Sequence, residues 1–174
     1  NDKLSYRITT RVIAIAEADC CPRAEFMARF RRALGAGLKL MVLREGGMVP
    51  AQFTQFARHV STLGMAHGTR VLVEAGRSRG AHHGANGMHL CSCRLPHLAA
   101  PPAPLWTASC KTHDHLARAA RFGALFATVP MLATGDGALY WHGFGALVGR
   151  SALPVYACRG AGRGDLHAAH AQGA

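Results

Sequence analysis

The feature that most constrains the fold is a repeated order of helix, glycine and short apolar strand. A glycine-bearing junction at residues 35–37 precedes the apolar run 38–43, and Gly123-Ala124 precedes the run 125–129. Glycine takes the left-handed conformation that closes a helix at no steric cost, so each junction predicts a helix end followed directly by a strand. A further Gly-Ala pair stands at residues 173–174.

Short apolar runs of strand length occur throughout the sequence. We predict seven strands, at residues 12–16, 38–43, 70–73, 88–90, 104–108, 125–129 and 154–157. Helical segments are predicted between the strands, including short ones at 77–83 and 165–170. Asp19 or the cysteines after it are the predicted N-cap of the helix that follows the first strand. Strict alternation of this kind builds a parallel sheet with right-handed crossovers, either doubly wound or closed into a barrel.

The near-equal spacing of the strands, with no G-x-G-x-x-G after the first, favours the barrel. The predicted fold class is therefore α/β, a TIM-type (β/α) barrel. Such a barrel closes with eight strands, so the eighth is missing or supplied elsewhere. An unpaired parallel edge exposes backbone donors and acceptors, and a homodimer through the open seam is one expected consequence.

Composition sets the class of molecule. With 49% hydrophobic and 17% charged residues, the chain reads as one globular domain at 11–174 behind an N-terminal arm or linker at 1–10. No apolar run approaches the ~20 residues that cross a bilayer, and the first residues are too polar for a signal peptide. The sequence therefore predicts a cytoplasmic protein without a membrane partner.

The charge predicts anionic partners. Twenty Lys and Arg against nine Asp and Glu give a net charge of +11, which suits phosphorylated small molecules or nucleic acid. Nucleic acid is disfavoured because basic residues are not interleaved with aromatic ones and no known binding module is present.

The six cysteines lack the spacing of a disulfide framework and are interpreted as thiols. A zinc site usually has two separated pairs of ligands, and the group of Cys91, Cys93 and His97 lacks a second pair. We therefore interpret these three residues as strand-end and loop residues and not as metal ligands.

A group of short motifs at strand ends points to one family. They are Leu43-Arg44-Glu45, Gly87-Met88-His89-Leu90, Thr107-Ala108-Ser109-Cys110, Thr134, Gly143-Phe144 and the run from Pro154 to Gly160. In this order they resemble the thiamine phosphate synthase and TenI superfamily, above all the version fused behind a Nudix hydrolase. The resemblance implies a transferase of thiamine biosynthesis that joins hydroxymethylpyrimidine pyrophosphate to thiazole phosphate. In that family the reaction releases pyrophosphate and uses Mg²⁺.

The same resemblance implies which residues form the site. Pyrophosphate leaves as positive charge builds on the pyrimidine, so cations and hydrogen-bond donors must hold the leaving oxygens. The implied catalytic residues are Arg44, Ser109 and Lys111, and the implied phosphate-binding residues are Arg44, Thr134, Arg159 and Gly160. Structural alternatives stay open: an ion pair for Arg44, and ordinary loop hydroxyls for Ser109 and Thr134. His89 is interpreted as a packing or second-layer residue.

Departures from the family pattern indicate a degraded site. The Asn-Asp pair after the third strand is replaced around Glu74-Ala75-Gly76, and the later magnesium aspartate falls at Arg94. Glu74 is then the one weak candidate metal ligand, and Mg²⁺ is doubtful here. Two hypotheses follow: a thiamine phosphate synthase with reduced or lost activity, or a non-catalytic phosphate-ligand-binding or regulatory barrel associated with a Nudix hydrolase.

Overall fold

The structure is a computed structural model that describes residues 10–74, 84–130, 137–158 and 171, with only the backbone for 137–142. The described elements, in chain order, are β1 (Ala14–Glu17), α1 (Arg23–Gly35), β2 (Leu40–Arg44), α2 (Pro50–Ala66), β3 (Arg70–Glu74), β4 (Gly87–Leu90), a 3₁₀ helix (Ser92–His97), β5 (Trp106–Ser109), α3 (His113–Arg121), β6 (Ala127–Pro130), α4 (Gly137–Val148) and β7 (Val155–Cys158). All seven predicted strands are confirmed. The helices predicted at 77–83 and 165–170 lie outside the described residues.

The sheet is ordered as the chain is. Its strands run β1 to β7 in sequence, and every neighbouring pair is parallel. A doubly wound sheet reverses its strand order at a switch point, whereas a barrel adds each strand beside the last. The predicted TIM-type barrel is therefore confirmed.

Contacts inside the sheet show that it curls. Val42 of β2 and Phe126 of β6 belong to one buried cluster, and the Tyr156 ring of β7 packs edge-on against Phe126 at 5.1 Å between centroids. The Tyr156 hydroxyl also donates to the carbonyl oxygen of Thr10, just before β1, at 2.6 Å. Among the described residues, β7 and β1 do not pair. Across the described residues, the structure is thus an open, seven-stranded barrel without an eighth strand.

Both faces of the central strands are buried. Val42 and Leu43 are neighbours on opposite faces of β2, and each is 0% exposed. Strands covered on both sides read as continuous apolar runs, which explains the sequence pattern. The outer face of β1 to β3 is covered by α1 and α2, through a cluster that includes Phe26, Phe30, Met41, Leu43, Phe53, Phe56, Val71 and Val73. Within the described residues, no helix is both long and apolar enough to span a membrane.

The predicted end of α1 is confirmed. Gly35 is the last residue of α1, and Gly37 of the same junction takes the left-handed conformation, with φ 86°. The predicted N-cap of α1 is wrong. Asp19 does not cap α1, whose N-cap is Pro22 without a side-chain hydrogen bond. Its carboxylate instead accepts from the backbone N–H of Gly47 at 2.7 Å.

Trp106 fixes α3 to the outer face of β5. The side chain is 1% exposed, and its indole N–H donates to the carbonyl oxygen of Phe122 at 3.2 Å. We expect Trp106→Phe to lower the free energy of unfolding by about 1.5 kcal/mol, because it leaves that carbonyl without its donor and under-fills the site. Urea unfolding followed by circular dichroism measures the change, and an unchanged midpoint at constant slope would contradict it.

Candidate active site at the barrel mouth

One row of paired residues crosses the carboxyl end of the sheet. Glu17, Arg44, Glu74, His89 and Thr107 are successive register partners across β1 to β5, and we call them the polar rung. Side chains two residues apart on a strand share a face, so these five point the same way as the interior residues below them. The polar rung is therefore the floor of the barrel mouth.

Arg44 is held between two carboxylates. Its Nε donates to Glu74 at 2.6 Å and its Nη1 donates to Glu17 at 2.9 Å. The three side chains are 26%, 16% and 49% exposed respectively, so the Glu74 pair is the better shielded of the two. The structural ion pair left open by the sequence is thus present. It engages two of the five N–H groups of a guanidinium, so it does not by itself exclude an anion contact.

His89 lies beneath the mouth as a neutral imidazole. It is 3% exposed; its Nδ1 lies 2.7 Å from the Thr107 hydroxyl oxygen and its Nε2 lies 3.4 Å from that of Thr128. Burial, and then the nearby charge of Arg44, lower the pKa of His89 to about 4. Both ring nitrogens therefore lie within hydrogen-bond distance of a neighbouring hydroxyl group. This arrangement agrees with the packing role predicted for His89.

A cavity of about 1030 Å³ opens above the polar rung. It brings together Arg44, Ser109 and Lys111, the three predicted catalytic residues, with the candidate ligand Glu74 beside them. The cavity continues past the edge of β1 to the face of α1 that packs on the sheet, where Phe26 and Phe30 line it. The predicted phosphate-binding residues Thr134, Arg159 and Gly160 lie outside the described residues.

Several cavity residues were not identified from the sequence. They are Glu17, Thr128 and the cysteines Cys20, Cys21, Cys91 and Cys158. The alternation of Ile13, just before β1, with Ile15 and Glu17 on the strand could have indicated that Glu17 faces the mouth. No local signal indicated that its partner is Arg44, because that depends on the register between two strands.

The loop after β1 is fixed to the loop after β2. Ala18 N–H donates to the carbonyl of Arg44 at 2.8 Å, and Gly47 N–H donates to the Asp19 carboxylate at 2.7 Å. Gly46 has φ 64°, and a Cβ there would collide with that carboxylate, so glycine is required. These contacts hold the residues after β1 in place at the rim of the cavity.

The described residues do not fit the Mg²⁺ site that the family resemblance implies. The described carboxylates of the polar rung, Glu17 and Glu74, both bind Arg44. Across the described part of the chain, no group of three His, Cys, Asp or Glu side chains could hold a metal ion. Mg²⁺ requires near-octahedral oxygen ligation. We therefore assign no reaction step to a metal.

Comparisons with known proteins agree with this architecture. A family model described as thiamine monophosphate synthase (TMP-TENI) matches residues 12–174. The fold is similar to the solved structure of a thiamine phosphate pyrophosphorylase from Pyrococcus furiosus, with a TM-score of 0.71 over 92% of this chain and 80% of that one. The sequences are 16% identical, so this likeness shows the fold alone. No curated protein matches the sequence significantly.

Proposed function

Because the chain belongs to the thiamine monophosphate synthase family, we propose that its cavity binds the phosphorylated precursors of thiamine phosphate and joins them with release of pyrophosphate. The observation that carries the proposal is that Arg44, Ser109 and Lys111 line a single cavity at the carboxyl ends of the strands. Active sites of (β/α) barrels lie at that end. The whole cavity, including its extension past the edge of β1, measures about 1030 Å³, and pockets of about 300–1,000 Å³ hold small-molecule ligands.

The proposed chemistry depends on holding the leaving group. The bond from the methylene carbon on the pyrimidine to a pyrophosphate oxygen breaks, and the thiazole nitrogen forms its bond to that same carbon. Positive charge builds on the pyrimidine as the bond breaks, and the leaving oxygens gain negative charge. Arg44 presents a planar guanidinium suited to two phosphoryl oxygens, and Lys111 adds a compact point charge. The Ser109 hydroxyl supplies a neutral donor. Held in fixed positions, such groups stabilise the separating charges without costly rearrangement.

A second candidate function, non-catalytic binding of phosphate esters, is favoured by the pairing of the carboxylates at the barrel mouth. Since Glu17 and Glu74 are both bound to Arg44, metal-assisted turnover lacks ligands among the described residues. A non-catalytic barrel that binds phosphate esters needs only the cations. A regulatory association with a Nudix hydrolase is part of this alternative and rests on the motif resemblance alone.

Calorimetric titration separates the two functions. Hydroxymethylpyrimidine pyrophosphate and thiazole phosphate are each titrated into the protein, once in the presence of Mg²⁺ and once in the presence of a chelator. The protein is then incubated with both compounds together and assayed for thiamine phosphate and pyrophosphate. The proposed transferase requires binding of both compounds and formation of product. Binding without product under either condition would support the binding barrel, and absence of binding would contradict both functions.

Glu74→Gln provides a direct test of what the carboxylate does. If Arg44 contacts the phosphate, removing a competing negative charge should tighten pyrophosphate binding by about threefold, the effect of a partly exposed pair. If Glu74 is a metal ligand, binding in the presence of Mg²⁺ should weaken instead. Glu25→Gln is the matched control, because it breaks the Glu25–Arg29 pair on α1 while Glu25 itself lies outside the cavity lining.

A further inference from the structure

The cavity has an apolar part that the proposed transferase does not use. It passes the edge of β1 and reaches α1, and its lining there includes Ile15, Phe26, Phe30, Ala33, Leu38 and Met41. Phe26, Phe30 and Ala33 recur at three- and four-residue spacing, so they share one face of α1. We call this part of the cavity the apolar extension. It is continuous with the mouth that holds the polar rung.

Ile15 shows that the apolar extension is open to a ligand. It lies two residues before Glu17 on β1, on the same face and about 7 Å from it along the strand. Its register partner Val42 is 0% exposed, whereas Ile15 is 39% exposed, because in the described part of the chain β1 pairs with β2 alone. An interior-facing isoleucine therefore keeps apolar surface that a ligand can cover, and removing such surface from water is favourable.

The polar end of the same cavity favours an anionic group. Arg44 and Lys111 line it there, and α1 adds Arg29 to the lining. The carboxylates of Glu17 and Glu74 also line the cavity, but each is bound to Arg44, so their charge is partly compensated. A ligand that matches the whole cavity is therefore negative at one end and apolar along the rest.

We propose that the cavity binds phosphate monoesters that carry a flexible hydrocarbon chain, with the phosphate at Arg44 and Lys111 and the chain in the apolar extension. This inference rests on the proposed function, because it places the phosphate on the same cations. It adds a ligand class with a longer apolar part than a heterocyclic ring and its short substituents. The chain contributes to binding because it covers Ile15 and leaves water itself.

A series of ethyl, butyl, hexyl and octyl phosphate tests the apolar extension directly. Each compound is titrated into the full chain by calorimetry, at concentrations at which light scattering detects no micelles. A fully buried methylene strengthens binding by up to about fourfold, and a half-buried one by about twofold. We expect Kd to fall about twofold per methylene, which is about sixtyfold from ethyl to octyl phosphate. Pyrophosphate should displace octyl phosphate, because the two ligands share the cations.

One further ligand and three variants serve as controls. Octyltrimethylammonium has the same chain and the opposite charge, so it should bind at least about tenfold more weakly than octyl phosphate. Ile15→Asn and Ala33→Gln place a polar amide in the apolar extension at positions that are not fully buried. Each should weaken binding of octyl phosphate about tenfold and binding of ethyl phosphate far less. Met65→Asn is the matched control, because Met65 is 52% exposed on α2 and lies outside the cavity lining.

The outcomes separate this inference from the proposed function. Equal Kd values for ethyl and octyl phosphate would overturn the inference, as would equal effects of Ile15→Asn and Met65→Asn on octyl phosphate. Equally tight binding of octyltrimethylammonium would show non-specific uptake of the chain and would overturn it too, as would absence of binding across the series. Formation of thiamine phosphate is assayed separately, so its absence counts against the transferase alone.

Discussion

Replacing Arg44 with methionine is expected to weaken pyrophosphate binding by about 1.5–3 kcal/mol, one to two powers of ten in Kd. The guanidinium stands at the floor of the cavity, where a charge-assisted contact to a phosphoryl oxygen is partly shielded from water. Methionine keeps much of the side-chain length and removes every donor. Isothermal titration of inorganic pyrophosphate at fixed ionic strength measures the change, because screening alters any such contact.

Two further variants show whether the weaker pyrophosphate binding of Arg44→Met is caused by the loss of the guanidinium–phosphate contact. Arg44→Lys keeps the charge but not the paired donors and should fall between wild type and Arg44→Met. Arg29→Met removes another arginine that lines the cavity and is paired with Glu25, and it should change Kd by less than about threefold. Arg44→Met also leaves Glu74 unpaired, so its stability is checked by urea unfolding. An unchanged Kd in a folded Arg44→Met protein would remove Arg44 from the site.

The fold was predictable because burial on both faces leaves a strong mark on the sequence. The errors lie at the strand starts, where the apolar run begins about two residues before the backbone ladder. Leu38 and Leu125 were assigned to strands but precede β2 and β6. Both nevertheless pack against buried clusters. Hydrophobicity reports burial, whereas a strand begins where backbone pairing begins, and the two need not coincide.

The site was predictable only in part, for a related reason. Arg44 and Glu74 could be placed at the mouth because each ends a predicted strand. The salt bridge between Arg44 and Glu74 depends on the register of β2 against β3. The second salt bridge, from Arg44 to Glu17, depends on the register of β1 against β2. Register is set by packing over the whole sheet, so no short stretch of sequence encodes it.

The neutral His89 makes stability depend on pH in a defined direction. Its ordinary pKa of 6.5 is lowered to about 4 in the folded chain. Between these values the unfolded chain binds a proton that the folded chain does not, so stability is full above about pH 6.5 and falls as the pH is lowered. The difference in pKa corresponds to a total loss of about 3 kcal/mol once the pH reaches about 4. The cause is burial beside Thr107 and Thr128, where an imidazolium would lose its hydration.

We therefore expect wild type to lose about 2 kcal/mol of unfolding free energy between about pH 6.5 and pH 5 through this residue. Urea unfolding at a series of pH values measures the slope. His89→Asn and His89→Gln remove the titrating group, and their stability should fall less steeply over this interval, even if they are less stable overall. Carboxylates that titrate in all three proteins cancel in the comparison. Equal slopes in wild type and in both variants would mean that His89 takes up its proton in the folded chain, and that the mouth is open to water beneath Arg44.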